Sequence, residues 1–426
     1  MRLIILNQFF YPDHSATSQL MTELAESLAE RGVGVTALAG RGRYNGGERL
    51  SPYEDYKGVR VERARATSYG KGNVLGRLSD YLSFYVGATW KLSRMPHHDI
   101  VMALTTPPLI GLVALVIGHM RGMRVVALVQ DVYPDIAVAL GTLGKRSPAT
   151  LFLDYLSRLI LQRADRIIVL GECMRERVAA KVSGDALENI DVIHNWADGA
   201  AIKPLGTEAN PFIAEHDLQG RFVVLFSGNL GRVNEFETTL GAARSLRDRG
   251  DIIFLFIGDG TKAVEIERYA RANALDNIRM LPYQSRGMLP FSLGAGHASL
   301  VTLADGLAGL SVPSKTYAIL AAGRPVLFVG DRRSDVARMV RENGCGEVVA
   351  AGDCERLAFV IEDWSADREK VEAMGRRARA LFEASFDRPR AVNAYLEAFA
   401  KCLSDSPQHA EEPPRVGLPL GERTKP

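Results

Sequence analysis

The 426-residue sequence has little cysteine, and its four cysteines show no paired spacing. Cys173, Cys345, Cys354 and Cys402 lie far apart without a Cys-x-x-Cys pattern, which argues against a disulfide framework and a cysteine-based zinc site. We interpret them as buried or incidental thiols in a reducing compartment. The formal net charge is only +2, which gives no indication of nucleic-acid binding.

Long apolar runs are also missing. The N-terminus, MRLIILNQFFYPDHS, has too short an apolar run for a signal peptide. The longest uncharged stretch, residues 100–120, is interrupted by Pro107 and Pro108. The dozen or so residues after the prolines span about 18 Å as a helix, against about 30 Å for a bilayer core. We therefore expect a buried strand, a turn and a buried helix there, and no transmembrane segment.

Several catalytic motifs are absent. The sequence has no Asp-x-Asp, Walker or Gly-x-Ser-x-Gly motif. Residues 258–263, GDGTKA, match the dinucleotide pattern Gly-x-Gly-x-x-Ala, but no acidic residue ends a following strand about 20 residues on. The first strand–helix turn, residues 7–15, has no glycine. These observations argue against a nicotinamide dehydrogenase.

Short apolar runs alternate with longer segments of helical periodicity, which predicts parallel sheets with helices on both faces. The first set of predicted strands covers residues 3–6, 33–38, 59–62, 100–104, 125–129, 166–170 and 191–194. Predicted helices between them cover residues 15–30, 74–92, 109–119, 148–162 and 174–181. After a linker at residues 203–220, a second set of strands covers residues 222–226, 252–257, 278–280, 298–303, 325–329 and 347–349. Two doubly wound domains that face each other across a cleft are therefore predicted, with ligands at the carboxyl ends of the strands.

One region combines positive charge with aromatic residues. Between residues 31 and 95 there are twelve Lys and Arg but five Asp and Glu. The predicted helix at residues 74–92, in the last part of this region, carries Phe84, Tyr85 and Trp90. Basic residues beside an aromatic amphipathic helix favour contact with an anionic membrane surface. The alternative is a solvated basic loop beside an ordinary core helix.

Two corners of the second half are suited to anions. FSGNLGR places Gly228, Asn229, Gly231 and Arg232 at a strand–helix turn, where glycines let a ligand approach the backbone. In SVPSKTYAILAAGRPV, Ser314 and Lys315 open a helix, whose N-terminus has unpaired N–H groups. Two such corners on one sheet edge suit a diphosphate.

These motifs together resemble the bacterial family 4 glycosyltransferases. FSGNLG, IGDG, RMLPYQ and VPSKTYAILAAGRPV occur in the order typical of the enzymes of colanic-acid, O-antigen and exopolysaccharide assembly. FFYPDHSATSQLMTELAESLAERG, VVALVQDVYPDIAVALG and VIHNWAD in the first half are similar to motifs of the same subgroup. The resemblance covers roughly residues 1 to 400.

The resemblance implies the α/β fold class called GT-B, in which two Rossmann-like, doubly wound domains enclose a cleft. Residues 1–203 would form an N-terminal acceptor-binding domain, and residues 204–385 a C-terminal domain that binds the nucleotide sugar. A helix over residues 386–403 would cross back to the N-terminal domain. We expect residues 404–426, rich in proline and charge, to be a disordered tail.

Roles for individual residues follow from the same resemblance. The donor's diphosphate would contact the residues of the two corners, with the base held near residues 282–284: Gly228, Asn229, Gly231, Arg232, Gly258, Tyr283, Ser314 and Lys315. Asp131 and Gln130 follow an apolar strand and are the candidate catalytic pair, where Asp131 would orient or deprotonate the acceptor hydroxyl. An alternative for Asp131 is a cap of the turn before Pro134.

Two residues of the first loop, His14 and Ser15, would position the acceptor. For Ser15 a helix cap is an equally good explanation, and His194 is better explained as structural.

Three departures from the family pattern stand out. The two glutamates that the family places eight residues apart correspond to Leu310 and Ala318. Val233 and Asn234 replace a basic residue after GNLG, and Gln130 replaces the histidine of a frequent His-Asp pair. Lys315 and Arg232 are candidates to compensate for these losses.

The sequence thus predicts a hexosyltransferase that moves a sugar from a UDP- or GDP-linked donor to a polyprenyl-diphosphate-linked saccharide. The resemblance implies retention at the anomeric carbon, no bound metal, no further cofactor and no nucleic-acid partner. The protein would attach peripherally to the inner face of the cytoplasmic membrane. Two alternatives remain: a nucleotide-sugar 2-epimerase on the same fold, and a non-catalytic nucleotide-sugar-binding protein.

Overall fold

The computed structural model describes residues 1–43, 48–67, 69, 74–206 and 210–404 of the chain. Its strands form two separate sheets, one in each half. The predicted tail, apart from Ser404, lies outside the described residues, as do parts of the basic region (residues 44–47, 68 and 70–73) and residues 207–209 of the linker.

The first sheet has eight strands in the order β3-β4-β2-β1-β5-β6-β7-β8. These strands are β1 (Arg2–Leu6), β2 (Gly34–Gly40), β3 (Tyr53–Tyr56), β4 (Val59–Ala64), β5 (Ile100–Ala103), β6 (Arg124–Val129), β7 (Arg166–Val169) and β8 (Ile190–Val192). β1 pairs in parallel with both β2 and β5, with Ile4 opposite Thr36 on one side and Val101 on the other. Because helices cover both faces, the central strands are continuous apolar runs.

The second sheet has six parallel strands in the order β11-β10-β9-β12-β13-β14. They are β9 (Phe222–Ser227), β10 (Ile252–Ile257), β11 (Ile278–Leu281), β12 (Ala298–Thr302), β13 (Val326–Val329) and β14 (Gly346–Val349). All six residues of β10 are buried. From β9 the chain continues to β10 and β11 on one side, and it resumes with β12 on the other side of β9. The switch point, where ligands of such sheets bind, therefore lies between β9 and β12.

Helices of the first half form two layers. They are α1 (Ala16–Glu30), α2 (Val74–Arg94), α3 (Gly111–Met120), α4 (Asp135–Ala139), α5 (Pro148–Arg163) and α6 (Glu172–Ala179). The connection from β1 through α1 to β2 runs one way along the sheet, whereas those through α2, α3 and α5 run the other way. Right-handed crossovers therefore put α1 on one face and α2, α3 and α5 on the opposite face. α3 packs against both α2 and α5.

The second half continues with nine helices in the described residues, the last of which returns to the first half. They are α7 (Pro211–Glu215), α8 (Glu237–Ser245), α9 (Ala263–Ala272), α10 (Leu289–Gly294), α11 (Lys315–Ala321), α12 (Asp335–Glu342), α13 (Cys354–Ala366), α14 (Arg368–Ser385) and α15 (Arg388–Ser404). α15 packs against α1, and its Tyr395 ring meets Trp196 edge-on with centroids 5.9 Å apart. α15 thus covers part of the α1 face.

Every strand predicted from the apolar runs has a counterpart in the structure, with ends shifted by one or two residues. The edge strand β3 was not predicted, because YEDY is polar and its residues are at most half-buried. β3 is antiparallel to β4, so the first sheet is not purely parallel. Residues 100–120 form a strand, a turn and α3, and in the described part of the chain no helix is long and apolar enough to span a bilayer.

Candidate functional site

Two glycine turns meet at the carboxyl ends of β9 and β10. Gly228 has φ +138° and Gly258 has φ +143°, a region that side chains disfavour. The Gly228 N–H donates to the Ile257 carbonyl at 2.9 Å, and a Cβ on Gly258 would overlap the Gly228 carbonyl oxygen. The glycines are therefore required by the close approach of the two turns, and they leave the backbone open toward the cleft.

Lys315 lies beside these turns without a polar partner. Its ammonium nitrogen Nζ is buried and, among the described residues, has no hydrogen-bond acceptor. The nitrogen lies 3.3 Å from the centroid of the Phe226 ring, and a Cβ built on Gly228 would be 3.4 Å from it. Burial lowers the pKa of Lys315 well below its ordinary value. Among the described residues the nitrogen thus has the Phe226 ring as a neighbour but no acceptor, and a bound anion would supply the acceptor and favour the charged form.

The other predicted donor residues surround the same corner. Asn229 and Gly231 accept hydrogen bonds at their carbonyls from the Asn234 side chain, at 3.0 and 3.2 Å, which fixes the turn. The Tyr283 side chain is half-exposed and its hydroxyl lies 3.5 Å from the Asp259 carbonyl. Ser314 precedes α11, but its hydroxyl caps no N–H of the helix. α11 is only seven residues long, so Lys315 itself provides most of the positive charge.

Arg232 contacts the first half of the chain. Its guanidinium reaches across the cleft, where Nη2 donates to the Leu140 carbonyl at 2.7 Å and Nη1 lies 3.5 Å from the Thr142 hydroxyl. The structure directs this side chain to the first half, and the prediction that it lines the diphosphate stays a prediction. The side chain points there because the uncapped carbonyl at the end of α4 offers a nearer acceptor. Arg232 instead joins the two halves.

Asp131 faces the second half. It follows β6 and forms an isolated antiparallel bridge with Ser311, and the N–H of Val132 donates to the Leu310 carbonyl at 2.9 Å. Burial raises the pKa of Asp131, while a hydrogen bond from Ser311 opposes the rise. The structure therefore brings Asp131 to the segment that leads into Lys315, across the cleft between the sheets.

Gln130 and an unpredicted residue, Thr105, support Asp131. The backbone N–H groups of Gln130 and Asp131 both donate to the Thr105 hydroxyl, each at 3.3 Å. The Gln130 amide nitrogen Nε2 is buried without a partner among the described residues. Thr105 follows β5, the strand next to β6, so a search for polar residues at neighbouring strand ends would have found it.

His14 and Ser15 lie at the start of α1. The Ser15 hydroxyl accepts from the Ser18 N–H at 3.3 Å, so it acts as the helix cap. His14 is exposed, and its carbonyl accepts from the Gln19 side chain at 3.0 Å. His194 is held by the Leu170 carbonyl at 2.9 Å and stacks edge-on against Phe386, in keeping with a structural role.

A cross-cleft ion pair was missed by sequence reasoning. Glu23, on α1, accepts from Arg286, which follows the loop of Tyr283, and also from the Trp196 indole nitrogen at 3.2 Å. Burial raises the pKa of Glu23, and the Arg286 charge partly offsets this. No motif marks Glu23, because its partners lie 173 and 263 residues away along the chain.

Apolar residues occupy the positions of the family's two glutamates. Leu310 is buried and contributes its carbonyl to the contact with Val132, while Ala318 is half-buried on α11. Neither position supplies a carboxylate. Among the described residues no group of three or more His, Cys, Asp or Glu side chains is arranged to hold a metal ion.

The predicted membrane contacts on α2 need correction. Phe84 is fully buried, and the half-buried Tyr85 donates its hydroxyl to the Pro108 carbonyl, so both belong to the protein interior. The periodicity of α2 turns these two residues toward the sheet and α3. Trp90 is exposed, as the membrane prediction requires.

The two parallel sheets with facing carboxyl ends, joined by a returning C-terminal helix, define the class of protein as a GT-B fold. The family described as "Glycosyl transferase 4-like domain" matches residues 16–196, and "Glycosyl transferases group 1" matches residues 210–381. The chain thus belongs to the family 4 type of glycosyltransferases and is a transferase.

Two curated relatives narrow the type. The probable glycosyltransferase WbjE of Pseudomonas aeruginosa is 26% identical over 403 residues, which are 94% of this chain and 97% of WbjE. The putative colanic acid biosynthesis glycosyl transferase WcaI of Escherichia coli K12 is 25% identical over 357 residues, which cover 80% and 86% of the two chains. The protein is accordingly a glycosyltransferase of the polysaccharide-biosynthesis type.

Solved structures agree on the fold. Sucrose-phosphate synthase from Thermosynechococcus elongatus superposes with a TM-score of 0.77 at 14% identity, covering 95% of this chain and 100% of the other. Anabaena HepE, in complex with UDP and glucose, gives a TM-score of 0.71 at 14% identity over 94% and 100% of the chains. WaaG, a glycosyltransferase involved in lipopolysaccharide biosynthesis, gives 0.70 at 14% over 93% and 99%.

Proposed function

We propose that the protein transfers a hexose or related sugar from a nucleoside-diphosphate donor to a polyprenyl-diphosphate-linked saccharide during assembly of a cell-surface polysaccharide. The reaction would retain the anomeric configuration and need neither a metal ion nor another cofactor. It would take place at the inner face of the cytoplasmic membrane, where the protein would attach peripherally.

The observation that carries the donor proposal is the unpartnered ammonium of Lys315 beside Gly228. A nucleoside diphosphate supplies negative oxygens that satisfy the cation, and the open turns of Gly228 and Gly258 admit them to the backbone. UDP and UDP-glucose bound to Anabaena HepE support a UDP-linked donor, although GDP fits the same corner.

The chemistry follows from charge development. The bond between the sugar C1 and the diphosphate oxygen breaks with its electron pair left on the phosphate, while the acceptor oxygen bonds to C1 on the face that the diphosphate leaves, so that the configuration is retained. Lys315 stabilises the negative charge that grows on the leaving diphosphate. The Asp131 carboxylate, on the opposite wall, orients the acceptor hydroxyl and takes its proton. Its raised pKa brings it closer to the pH at which it works.

The acceptor proposal rests on the relatives. The name of WcaI refers to colanic acid and that of WaaG to lipopolysaccharide, which are both carbohydrates of the cell surface. We propose that the exposed His14, in the loop between β1 and α1, contacts the acceptor. Ser15 would hold this loop in place by capping α1.

A thermal-unfolding screen tests the donor. Purified protein is heated with UDP, GDP, dTDP, CMP or NAD, because a ligand of the folded state raises the midpoint by mass action. We expect one nucleoside diphosphate to raise it and Lys315→Met to abolish the rise. If NAD alone raised the midpoint, or if none of the nucleotides raised it at millimolar concentration, the donor assignment would be refuted.

Turnover separates the transferase from its alternatives. Incubation with the stabilising donor and membrane-extracted lipid-linked saccharides should yield a lengthened saccharide, whose anomeric configuration NMR reports and whose formation persists in EDTA. An epimerised donor formed without acceptor indicates the 2-epimerase. Donor binding without turnover on any acceptor indicates the non-catalytic protein, for which the missing carboxylates at Leu310 and Ala318 are the motive.

A further inference from the structure

Three neighbouring helices of the first half present apolar side chains to solvent. In the described residues, seventeen large hydrophobic side chains are exposed, and ten of them lie on α2, α3 and α5. We call the outer surface of these helices the three-helix face. Its exposed apolar residues are Leu75, Leu78, Leu82, Val86 and Trp90 on α2, Val116 and Met120 on α3, and Leu151, Phe152 and Tyr155 on α5.

The exposed residues of α2 form a stripe. Their spacing of three or four residues puts them on one side of the helix, while Phe84, Ala88 and Leu92 on the other side are buried. A surface helix of a soluble protein ordinarily carries polar residues on its outer side. Burial in the core therefore explains the inner side of α2 and leaves the outer stripe unexplained.

α3 strengthens the same point. GLVALVIGHM has no Asp, Glu, Lys or Arg, so it is apolar on all sides. A helix of this kind is normally buried all round, yet Val116 and Met120 of α3 are exposed. The described residues therefore leave the outer side of α3 uncovered.

The three helices form one continuous layer. α3 packs between α2 and α5, and the Arg121 side chain, just after α3, donates to the Leu92 carbonyl at 2.9 Å. The C-terminal helix α15 packs against α1, on the opposite face of the sheet. None of the described helices thus covers the three-helix face, and its exposed apolar residues lie on neighbouring helices of one layer, unlike single surface hydrophobics.

Charges on the face are mainly positive. The three helices contain five Lys or Arg and two Asp. Asp80 is buried, and Asp154 is paired with Lys181 and Arg158. Lys91 is paired with Glu62, whereas Arg77, Arg94 and Arg163 are exposed, with the Arg94 guanidinium 4.6 Å from the centroid of the Trp90 ring. An apolar surface with a basic rim matches a bilayer with acidic headgroups, where the side chains enter the acyl region and the cations meet phosphates.

We propose that the three-helix face docks the protein on a bilayer rich in anionic phospholipid, with side chains of α2, α3 and α5 inserting together. This rests on the proposed function for the location of the acceptor, but it extends the contact to α3 and α5, which no motif of the sequence indicated. A two-fold dimer through this face would bring two surfaces of net positive charge together, so a second copy of the chain is the poorer occupant.

Vesicle sedimentation tests the proposal. Full-length protein is mixed with vesicles of phosphatidylcholine, with or without phosphatidylglycerol. We expect binding to the anionic vesicles that weakens with salt, and a loss of about tenfold or more in the partition coefficient for Phe152→Ser with Tyr155→Ser and for Leu82→Ser with Val86→Ser. The matched control is Val264→Ser with Phe359→Ser, whose side chains are each 58% exposed on the second half.

Fluorescence gives a second readout. The chain has three tryptophans, of which Trp196 and Trp364 are buried, so a blue shift on adding vesicles reports Trp90. We expect the shift in wild-type protein, its quenching by lipids brominated on the acyl chain, and its absence in Trp90→Phe. No shift and no sedimentation of wild-type protein would overturn the proposal.

Two further outcomes would also overturn it. Variants of α5 that bind vesicles as tightly as wild type would exclude α5 from the contact. Variants that instead convert a dimer into a monomer, seen by light scattering, would identify the face as a self-association surface. Each variant is also heated with the stabilising nucleotide, since a retained rise in midpoint shows an intact fold and separates failure of docking from failure of the donor assignment.

Discussion

The two sheet edges that face each other are built by different means. The edge of the second sheet has glycine turns with positive φ at Gly228, Gly258 and Gly260, and a buried lysine without a polar partner. The edge of the first sheet has no glycine in its first turn and presents side chains instead, with Asp131 held by Thr105.

This difference suits two kinds of ligand. Backbone N–H groups and a cation recognise phosphate oxygens, and the diphosphate is the same in every nucleoside-diphosphate sugar. Side chains vary easily in sequence, and acceptors differ from one polysaccharide to another. We infer that the second edge was shaped for a constant group and the first for a variable one, and four substitutions test this division.

Asp131→Asn has the largest expected effect. We expect turnover to fall by about 10²- to 10⁴-fold, because the acceptor proton loses its base, while stabilisation by the nucleotide stays unchanged. The acid limb of the pH–rate profile, which follows ionisation of this carboxyl with its raised pKa, should disappear with it.

The control for Asp131 is Asp154→Asn, which removes ion pairs with Lys181 and Arg158 away from the cleft. It should keep wild-type turnover per folded molecule. Loss of nucleotide binding in Asp131→Asn would contradict the proposed division of roles between the two edges.

Lys315→Met should separate binding from stability. We expect the nucleotide Kd to rise about 10- to 100-fold, since a charge-assisted hydrogen bond is lost, and the free protein to become more stable because a buried amine without a hydrogen-bond acceptor among the described residues is removed. The Kd is measured by calorimetry and stability by thermal unfolding. Lys262→Met, whose Nζ lies 3.3 Å from a Glu237 oxygen, is the matched control.

The pH dependence of Lys315 has a defined sign. Its pKa is lowered in the folded protein, so the unfolded chain binds more protons between that pKa and the ordinary value. The free energy of unfolding should therefore rise with pH through this window in wild-type protein and lose that rise in Lys315→Met. Nucleotide binding should take up a proton; calorimetry in buffers of different ionisation enthalpy that finds none would contradict the role of Lys315.

Gly260→Ala tests the backbone part of the second edge. Gly260 has φ +154°, and a Cβ there would lie 2.5 Å from the Leu230 carbonyl. We expect a loss of about 1–3 kcal/mol in the free energy of unfolding, measured by urea denaturation, together with weaker nucleotide binding. Gly287→Ala, where a Cβ meets no atom within 4 Å, should change neither quantity by much.

Arg286→Ala has the smallest expected effect. Its side chain is 61% exposed, so the ion pair with Glu23 contributes at most about 1 kcal/mol. We expect a KM for the donor raised a few-fold, because the pair joins α1 to the segment after Tyr283. Glu23→Gln should act similarly, and a large loss of stability in Arg286→Ala alone would show that the pair supports the fold instead.

Much of this architecture follows from the sequence. Runs such as IIFLFI predict buried parallel strands because an element of this length, apolar on both sides, needs helices on both faces. Glycines after β9 and β10 mark the donor edge for the same local reason, a backbone conformation that other residues avoid. β3 escaped prediction because an edge strand needs no apolar side chain.

Other features depend on distant parts of the chain. Phe84 and Trp90 lie on one aromatic helix, and only the packing of α2 on the sheet decides that Phe84 is buried and Trp90 exposed. The sequence predicts Arg232 as a phosphate ligand, and its contact with the Leu140 carbonyl after α4 follows only from the packing of the two halves. The predicted tail beyond Ser404 and parts of the basic region lie outside the described residues.

The sequence by itself determined the two α/β halves, the family and the positions of the glycine turns, since periodicity and local backbone conformation are encoded over a few residues. The tertiary structure alone decided that the Lys315 nitrogen has no hydrogen-bond acceptor among the described residues, that Asp131 meets Ser311 and that Glu23 meets Arg286. It also placed the outer sides of α2, α3 and α5 in one layer. Burial and contact arise between residues hundreds of positions apart, and no local pattern carries them.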